Sequence, residues 1–241
     1  MSRRPHGTLA TRLVRLLRSR RSEEACAAAI VIGALRPAEP SVGRELARRL
    51  RLNDPIRFYV LEALARQKTA DACEHVVRAL VRHGPDREHA RRLLKSFGPR
   101  ALAILGRALE ANPVEAQIIY SSAAGFRTRA AVAWLMRRLA RASPGHARLI
   151  YLAVRRDMNE WPRRLRTYLR TWAMRLVRPG AGSSRSAVLA TLRLLRVLHD
   201  SAIVDPLIAL ARKAVDAPLR EEALSVLRAA PRAPTRATRA L

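Results

Sequence analysis

The sequence predicts an all-α fold, a right-handed α-solenoid of stacked antiparallel helical hairpins, on three observations. Ala, Leu and Arg dominate, while only ten of the 241 residues are Phe, Tyr or Trp; this favours helices interleaved through small side chains over an aromatic-cored sandwich. Helix stop and start signals recur at intervals of roughly 30 to 38 residues, one helical hairpin per period. The apolar content of 49% suffices for a packed core. The longest uncharged runs, 25–35 and 116–126, are 11 residues each, well short of the ~20 needed to cross a bilayer.

The elements follow from this punctuation. Residues 1–21 read as a basic amphipathic cap: Leu9, Leu13, Leu16 and Leu17 share one helical face, and Arg12, Arg15 and Arg18 occupy the other. Major breaks fall at Asp54-Pro55, His83-Gly84-Pro85-Asp86, Asn112-Pro113, Ser143-Pro144-Gly145, Pro179-Gly180 and Asp216-Ala217-Pro218. Each joins a helix stop to a cap or to a Pro able to start the next helix. Weaker breaks at Lys68-Thr69, Gly98-Pro99, Gly125, Asn159 to Pro162 and His199-Asp200 split each period in two. The solenoid, 22–229, therefore divides into hairpins 22–51, 54–83, 86–111, 113–141, 145–178 and 184–214 and a half-repeat 217–229. Residues 230–241 read as a disordered basic tail of Pro, Ala, Thr and Arg. A lone hairpin cannot bury its apolar stripe, so Val188, Leu192 and Leu195 are expected to stack with Ile203, Leu207 and Leu210.

In segment 189–210, Leu195, Leu198, Asp200, Ala202, Val204, Pro206, Leu207 and Leu210 resemble the HEAT-like pattern also found in phycobilin-lyase-type repeats, with His199 where that pattern has Gly. Asp54-Pro55-Ile56-Arg57 with Ala63-Leu64, and Ala217-Pro218-Leu219-Arg220 with Ala223-Leu224, resemble further repeat starts. The likeness covers about half the chain, is weak over 86–178, and implies architecture alone, because these are packing motifs.

The formal net charge is +28, from 47 Lys and Arg against 19 Asp and Glu, and 44 of those cations are Arg. Such an excess points to nucleic acid or an acidic protein as partner. A GC-rich genome is an alternative source of Arg over Lys, though it leaves the shortage of acids unexplained. Cys26 and Cys73 lie among apolar neighbours, too far apart for a redox pair, and read as core. Cys73, His75 and His83 lack metal-site spacing, and no phosphate-binding Gly-rich loop occurs. No metal, cofactor or catalytic residue is therefore expected. Residues 1–21 are not followed by an apolar segment and cleavage site, so a cytoplasmic location is expected.

The charge concentrates in residues 116–199, which hold 17 Arg and two acids, Asp157 and Glu160, together with all three Trp residues. On the predicted helix 160–178, Trp161, Leu165, Tyr168, Trp172 and Leu176 share one face and Arg163, Arg166 and Arg170 the opposite one, so both Trp residues read as core. On helix 127–141, Ala131, Val132, Leu135, Met136 and Leu139 make the apolar face. Trp134 lies about 130° from its centre, beside Arg127, Arg137, Arg138 and Arg141. Two roles stay open for Trp134: stacking a base while the arginines hold phosphates, or filling an inter-repeat interface with an Arg laid on it.

The candidate anion-binding set is thus Arg127, Trp134, Arg137, Arg138, Arg141, Arg163, Arg166 and Arg170, on two second helices whose Arg rows are expected to face one groove. The leading reading is a non-enzymatic scaffold for an acidic macromolecule, nucleic acid favoured. One alternative is a HEAT-like DNA glycosylase acting on alkylated bases, a reading that gains if Asp157 and Trp134 meet across the groove with Arg155 or Arg156. Another is an adaptor in a protein complex or at an anionic membrane, the latter through weak contact by residues 8–21.

Overall fold

A computed structural model describes residues 8–51, 55–82, 84–178, 181–198, 203–213 and 216–229. The breaks expected at Asp54, His83, Pro179-Gly180 and His199-Asp200, the placement of His83 and the 230–241 tail lie outside the described residues. Within them are fourteen α-helices: α1 (Leu9–Leu17), α2 (Ser22–Leu35), α3 (Pro40–Arg51), α4 (Arg57–Gln67), α5 (Ala70–Val81), α6 (Asp86–Leu94), α7 (Ala101–Ala111), α8 (Ala116–Ala124), α9 (Arg129–Ala140), α10 (Pro144–Met158), α11 (Arg163–Leu176), α12 (Arg185–Leu198), α13 (Val204–Lys213) and α14 (Ala217–Ala229). No strand occurs among the described residues. The chain forms two compact units, 1–115 and 116–241.

In the first unit, first helices stack on first helices, α2 on α4 and α4 on α6, while α3 stacks on α5 and α5 on α7. The second helix of one hairpin also meets the first helix of the next, α3 on α4 and α5 on α6. Leu17, Ile32, Leu46, Leu61, Leu64, Leu80, Leu94 and Leu105 are fully buried between them. The turns inside these hairpins are built by left-handed residues. Arg36 (φ 50°) ends α2, Lys68 (φ 57°) ends α4, and Gly98 (φ 61°, ψ −145°) sits in the 3₁₀ segment Lys95–Arg100 that links α6 to α7. Gly98 occupies a region that side chains exclude, which explains a glycine just before Pro99. After Lys68, the Thr69 hydroxyl accepts from the Ala72 N–H at 3.1 Å, so two residues suffice to stop one helix and cap the next.

Successive hairpins are also tied by ion pairs. At the start of α4, Arg57 meets Asp86 at the start of α6 at 2.5 Å, and Arg87 one residue later meets Glu115 at the same distance. The offsets of 29 and 28 residues repeat one bond in consecutive hairpins. Buried Glu45 receives Arg18 at 2.9 Å and Arg48 at 2.6 Å.

The second unit repeats the scheme: α8 meets α10, α10 meets α12, α12 meets α14, and α9 meets α11. The stack expected at its end is present, with Leu192, Leu195, Ile203, Leu207 and Leu210 in one buried cluster and Val188 against it. The Ser184 N–H donates to the Ala140 carbonyl at 3.0 Å, and the Ser184 and Ser186 hydroxyls donate to that of Ala142 at 3.1 and 2.9 Å, pinning the entry of α12 to the end of α9. Each unit is therefore an all-α stack of antiparallel hairpins, the architecture of HEAT-like repeats.

Candidate nucleic-acid interface

The site residues all lie in the second unit, on and around α9 and α11. Thr128 opens α9, its hydroxyl accepting from the Ala131 N–H at 3.2 Å. From there Ala131, Val132, Leu135, Met136 and Leu139 are buried, as the periodicity predicts, which leaves Arg129, Arg137 and Arg141 exposed and Trp134 and Arg138 half-buried.

Trp134 is the centre of a stack. Its ring lies 6.1 Å from that of Tyr120 on α8, and the Arg138 guanidinium sits 4.6 Å from the Trp134 ring centroid, within cation–π range. Tyr120 in turn meets His146 of α10 edge-on, with 2.8 Å between its hydroxyl and His146 Nδ1. Burial raises the Tyr120 hydroxyl above the ordinary phenol range, against the opposing pull of Arg138, so it stays neutral and serves as a hydrogen-bonding post. Trp134 thus packs into the α8–α9 seam within one hairpin, with an arginine laid on its ring.

Arg127 leaves α8 in the left-handed conformation (φ 54°) and pairs with Glu160, in the turn between α10 and α11. Asp157 pairs with Arg156 at 3.0 Å and lies against Gly125. Neither acid caps α11, whose capping position is Pro162, with no side-chain cap bond. Trp134 is engaged by Tyr120 and Arg138, and Asp157 by Arg156.

Along α11, Leu165, Leu169, Ala173 and Leu176 form the buried face. Trp161 is buried, as its position implies. Trp172 is only half-buried, with the Arg175 guanidinium 5.8 Å from its ring, because it lies at the rim of a face centred on Leu169 and Ala173. Arg163, Arg166 and Arg170 do share one side, where with Thr167 they line a cavity of about 230 Å³. Its other walls are Met158 and Asn159 at the end of α10 and Val197 and Leu198 at the end of α12, and no residue of α9 lines it. Arg129, absent from the sequence-derived set, is what bridges the two second helices, lying 5.6 Å from the Tyr168 ring of α11.

Two further basic clefts escaped the sequence reading. Between α10 and α12, Arg148, Tyr151, Leu189 and Arg193 line a space of about 130 Å³. In the first unit, Arg36, Arg44, Arg48, Gln67 and His75 line one of about 860 Å³, together with the acids Glu39 and Asp71. The signal for the first was the spacing of Arg148 and Tyr151 on one helix and of Ser186, Leu189 and Arg193 on the other; the second joins residues too distant in sequence to associate.

What the arrangement offers chemically is guanidinium donors beside aromatic rings. Burial, aided by Glu74, pushes the Cys73 thiol up to about 11, leaving it protonated at neutral pH and inert as a nucleophile. Among the described residues no three His, Cys, Asp or Glu side chains gather to hold a metal ion, and no helix is long and apolar enough to cross a membrane.

Fold and site together define a helical-repeat protein of HEAT-like architecture with an arginine-rich second unit. No family model matches the chain, and no curated protein matches it. Among solved structures it is similar to two engineered proteins from the Northeast Structural Genomics Consortium. One is 16% identical with a TM-score of 0.36, over 97% of this chain and 71% of that one. The other is 17% identical with a TM-score of 0.30, over 92% of this chain and 96% of that one. Scores this low carry no argument about fold or function.

Proposed function

We propose that the protein is a non-enzymatic helical-repeat scaffold that binds nucleic acid through the arginines of its second unit, with Arg127, Trp134, Arg137, Arg138, Arg141, Arg163, Arg166 and Arg170 as the contact set. One observation carries this reading. Residues 116–199 hold 17 Arg and two acids, and both acids already serve Arg156 and Arg127. Arg137, Arg141, Arg163 and Arg166 are exposed on α9 and α11, and the segment has no further carboxylate to offer them. Like charges at this density repel one another, and a polyanion relieves that repulsion while releasing its counterions. Asp157, occupied by Arg156, supports a binder over a base-excising enzyme.

The test is fluorescence anisotropy with duplex DNA, single-stranded DNA and RNA across a salt series. Wild-type binding should weaken steeply with salt. Replacing Arg137, Arg138 and Arg141 by Ala should lower affinity on the order of 10- to 100-fold and flatten the log–log salt slope by about 2 to 3. Weak binding indifferent to these changes would make the arginines a solvated coat and turn attention to acidic proteins.

One observation favours an additional contact with anionic membrane through residues 8–21: α1 exposes Leu9 and Leu16 beside Arg12 and Arg15. A single short helix of this kind supports weak, reversible binding. Liposome flotation with and without phosphatidylserine tests it, and equal recovery in both would remove it.

A further inference from the structure

We infer that α11 lies in the major groove of duplex DNA, with the arginines of each flank meeting one strand. The inference rests on the nucleic-acid reading above and narrows it to B-form duplex. Leu165, Leu169, Ala173 and Leu176 bury one side of α11, and the opposite crest carries Thr167 and Thr171, both exposed. Arginines stand on either side of that crest. Arg163 and Arg166 occupy one flank, Arg164 and Arg175 the other, and all four are exposed. At about 100° per residue, the two flanks lie about 140° apart around the helix axis.

The second flank is reinforced from the neighbouring helix. Arg164 and Arg175 are about 16 Å apart along the axis, and Tyr168, on the same side between them, carries the Arg129 guanidinium of α9 at 5.6 Å from its ring. Arg175 is itself 5.8 Å from the ring of Trp172. Both rings position a cation without neutralising it. No acid occurs in α11, and the nearest two, Asp157 and Glu160, hold Arg156 and Arg127.

A ridge with cations on both slopes calls for a groove with anions on both walls. With its side chains a helix is about 10–12 Å across, and the major groove of B-DNA is about 12 Å wide and admits one. Each guanidinium then offers its planar fork to the phosphates of the nearer strand. A single strand presents one phosphate row and engages one flank, and the major groove of A-form RNA is too deep and narrow to take the helix. The crest reads little. The Thr167 hydroxyl donates to the Arg163 carbonyl at 3.1 Å, and that of Thr171 to the Thr167 carbonyl at 3.1 Å. Only methyl groups and acceptor oxygens are left for the base edges, so phosphate contacts supply the affinity and sequence selectivity is slight.

The test is anisotropy across a salt series with duplex DNA, duplex RNA of the same sequence, and duplex DNA whose cytosines are glucosylated hydroxymethylcytosine, which fills the major groove with sugar. Plain duplex DNA should bind on the order of 10-fold more tightly than either of the others. Arg163→Ala/Arg166→Ala and Arg164→Ala/Arg175→Ala should each flatten the log–log salt slope on duplex DNA by about 2. Ala at exposed helical positions leaves the fold intact. Arg92→Ala/Arg100→Ala removes equal charge from exposed positions in the first unit and should leave the preference for plain duplex DNA unchanged. Duplex RNA or glucosylated DNA bound as tightly as plain DNA, or a flank whose removal leaves the slope unchanged, overturns the groove docking while leaving the nucleic-acid reading standing. If no nucleic acid binds, single strands included, both are overturned.

Discussion

The two units share an architecture and differ in how much of their arginine is neutralised. Residues 1–115 contain 23 Lys and Arg with 12 Asp and Glu, whereas residues 116–199 have 17 Arg and two acids. In the first unit, Arg57, Arg87 and Arg107 each reach a carboxylate 28 to 33 residues away, one hairpin along the stack. In the second, between α8 and α11, Arg127 likewise reaches Glu160 33 residues away, while Arg129 ends on the Tyr168 ring across the α9–α11 contact and, locally, Arg138 lies on Trp134 and Arg175 on Trp172. A ring positions a guanidinium without neutralising it. Both units thus use some cations to register one hairpin against the next, as Arg185–Asp216 and Arg193–Glu222 also do beyond α11, but α9 and α11 in addition hold arginines on rings, ordered and still charged.

The largest effect that would break this comparison is expected at Asp86. Its side chain is 6% exposed and that of Arg57 is 19% exposed, so Asp86→Ala removes the carboxylate from a largely desolvated guanidinium and from the first turn of α6. A loss on the order of 2 kcal/mol is expected by urea denaturation. The counterpart in the second unit is Arg127–Glu160, with side chains 41% and 64% exposed, and Glu160→Ala there should cost less than about 1 kcal/mol. Equal losses at the two sites would erase the distinction between registering and merely exposed pairs.

Glu45 sharpens the same contrast through pH. Burial opposes its ionisation most strongly, yet hydrogen bonds from Arg48 and Arg18, with their charges, outweigh burial and hold the carboxyl below its ordinary 4.5. The folded state therefore favours the deprotonated form, and unfolding takes up protons between the folded and unfolded values. The resulting stabilisation is complete above the unfolded value and is lost as pH falls through the folded one. Thermal melts from pH 6 to 3 should show a steeper decline for the wild type than for Glu45→Gln below pH ~4.5. Parallel curves would mean that Glu45 is not held ionised by its two arginines.

Much of this was legible in the sequence where period and punctuation decide the outcome. The apolar face of α9, the end stack of Leu192, Leu195, Ile203 and Leu207, and helix starts at Pro144 and Ala217 follow from 3.6-residue spacing and from Pro and Asp placement. Trp172 was misjudged because a wheel drawn through two Trp residues is centred on them, whereas the buried face is set by Leu169 and Ala173. The arginine row of α11 was legible as a row. That it lines a cavity at the ends of α10 and α12 depends on how three helices converge, and Arg129 over Tyr168 joins residues 39 apart; no local rule reaches either.

The least legible feature, a left-handed basic residue closing a hairpin, provides the smallest test. Arg36 ends the first helix α2, and Arg127 lies three residues beyond the end of the first helix α8, with φ of 50° and 54°, a conformation that costs a side chain about 1 to 2 kcal/mol and costs glycine nothing sterically. Arg36 gives little in return. Besides burial, its charge lowers the Lys68 pKa, so it weighs against the ammonium that donates to the Ser96 carbonyl at 2.8 Å. Arg36→Gly should relieve strain and repulsion together, at the cost of extra backbone entropy in the unfolded chain, and raise stability by about 0.5 kcal/mol. Arg127→Gly relieves the same strain but removes the Glu160 pair, so its gain should be smaller or absent. Denaturation midpoints of the two variants measured side by side decide the matter: a gain at position 127 that equals or exceeds the gain at 36 would mean that the exposed ion pair contributes nothing to closing the turn.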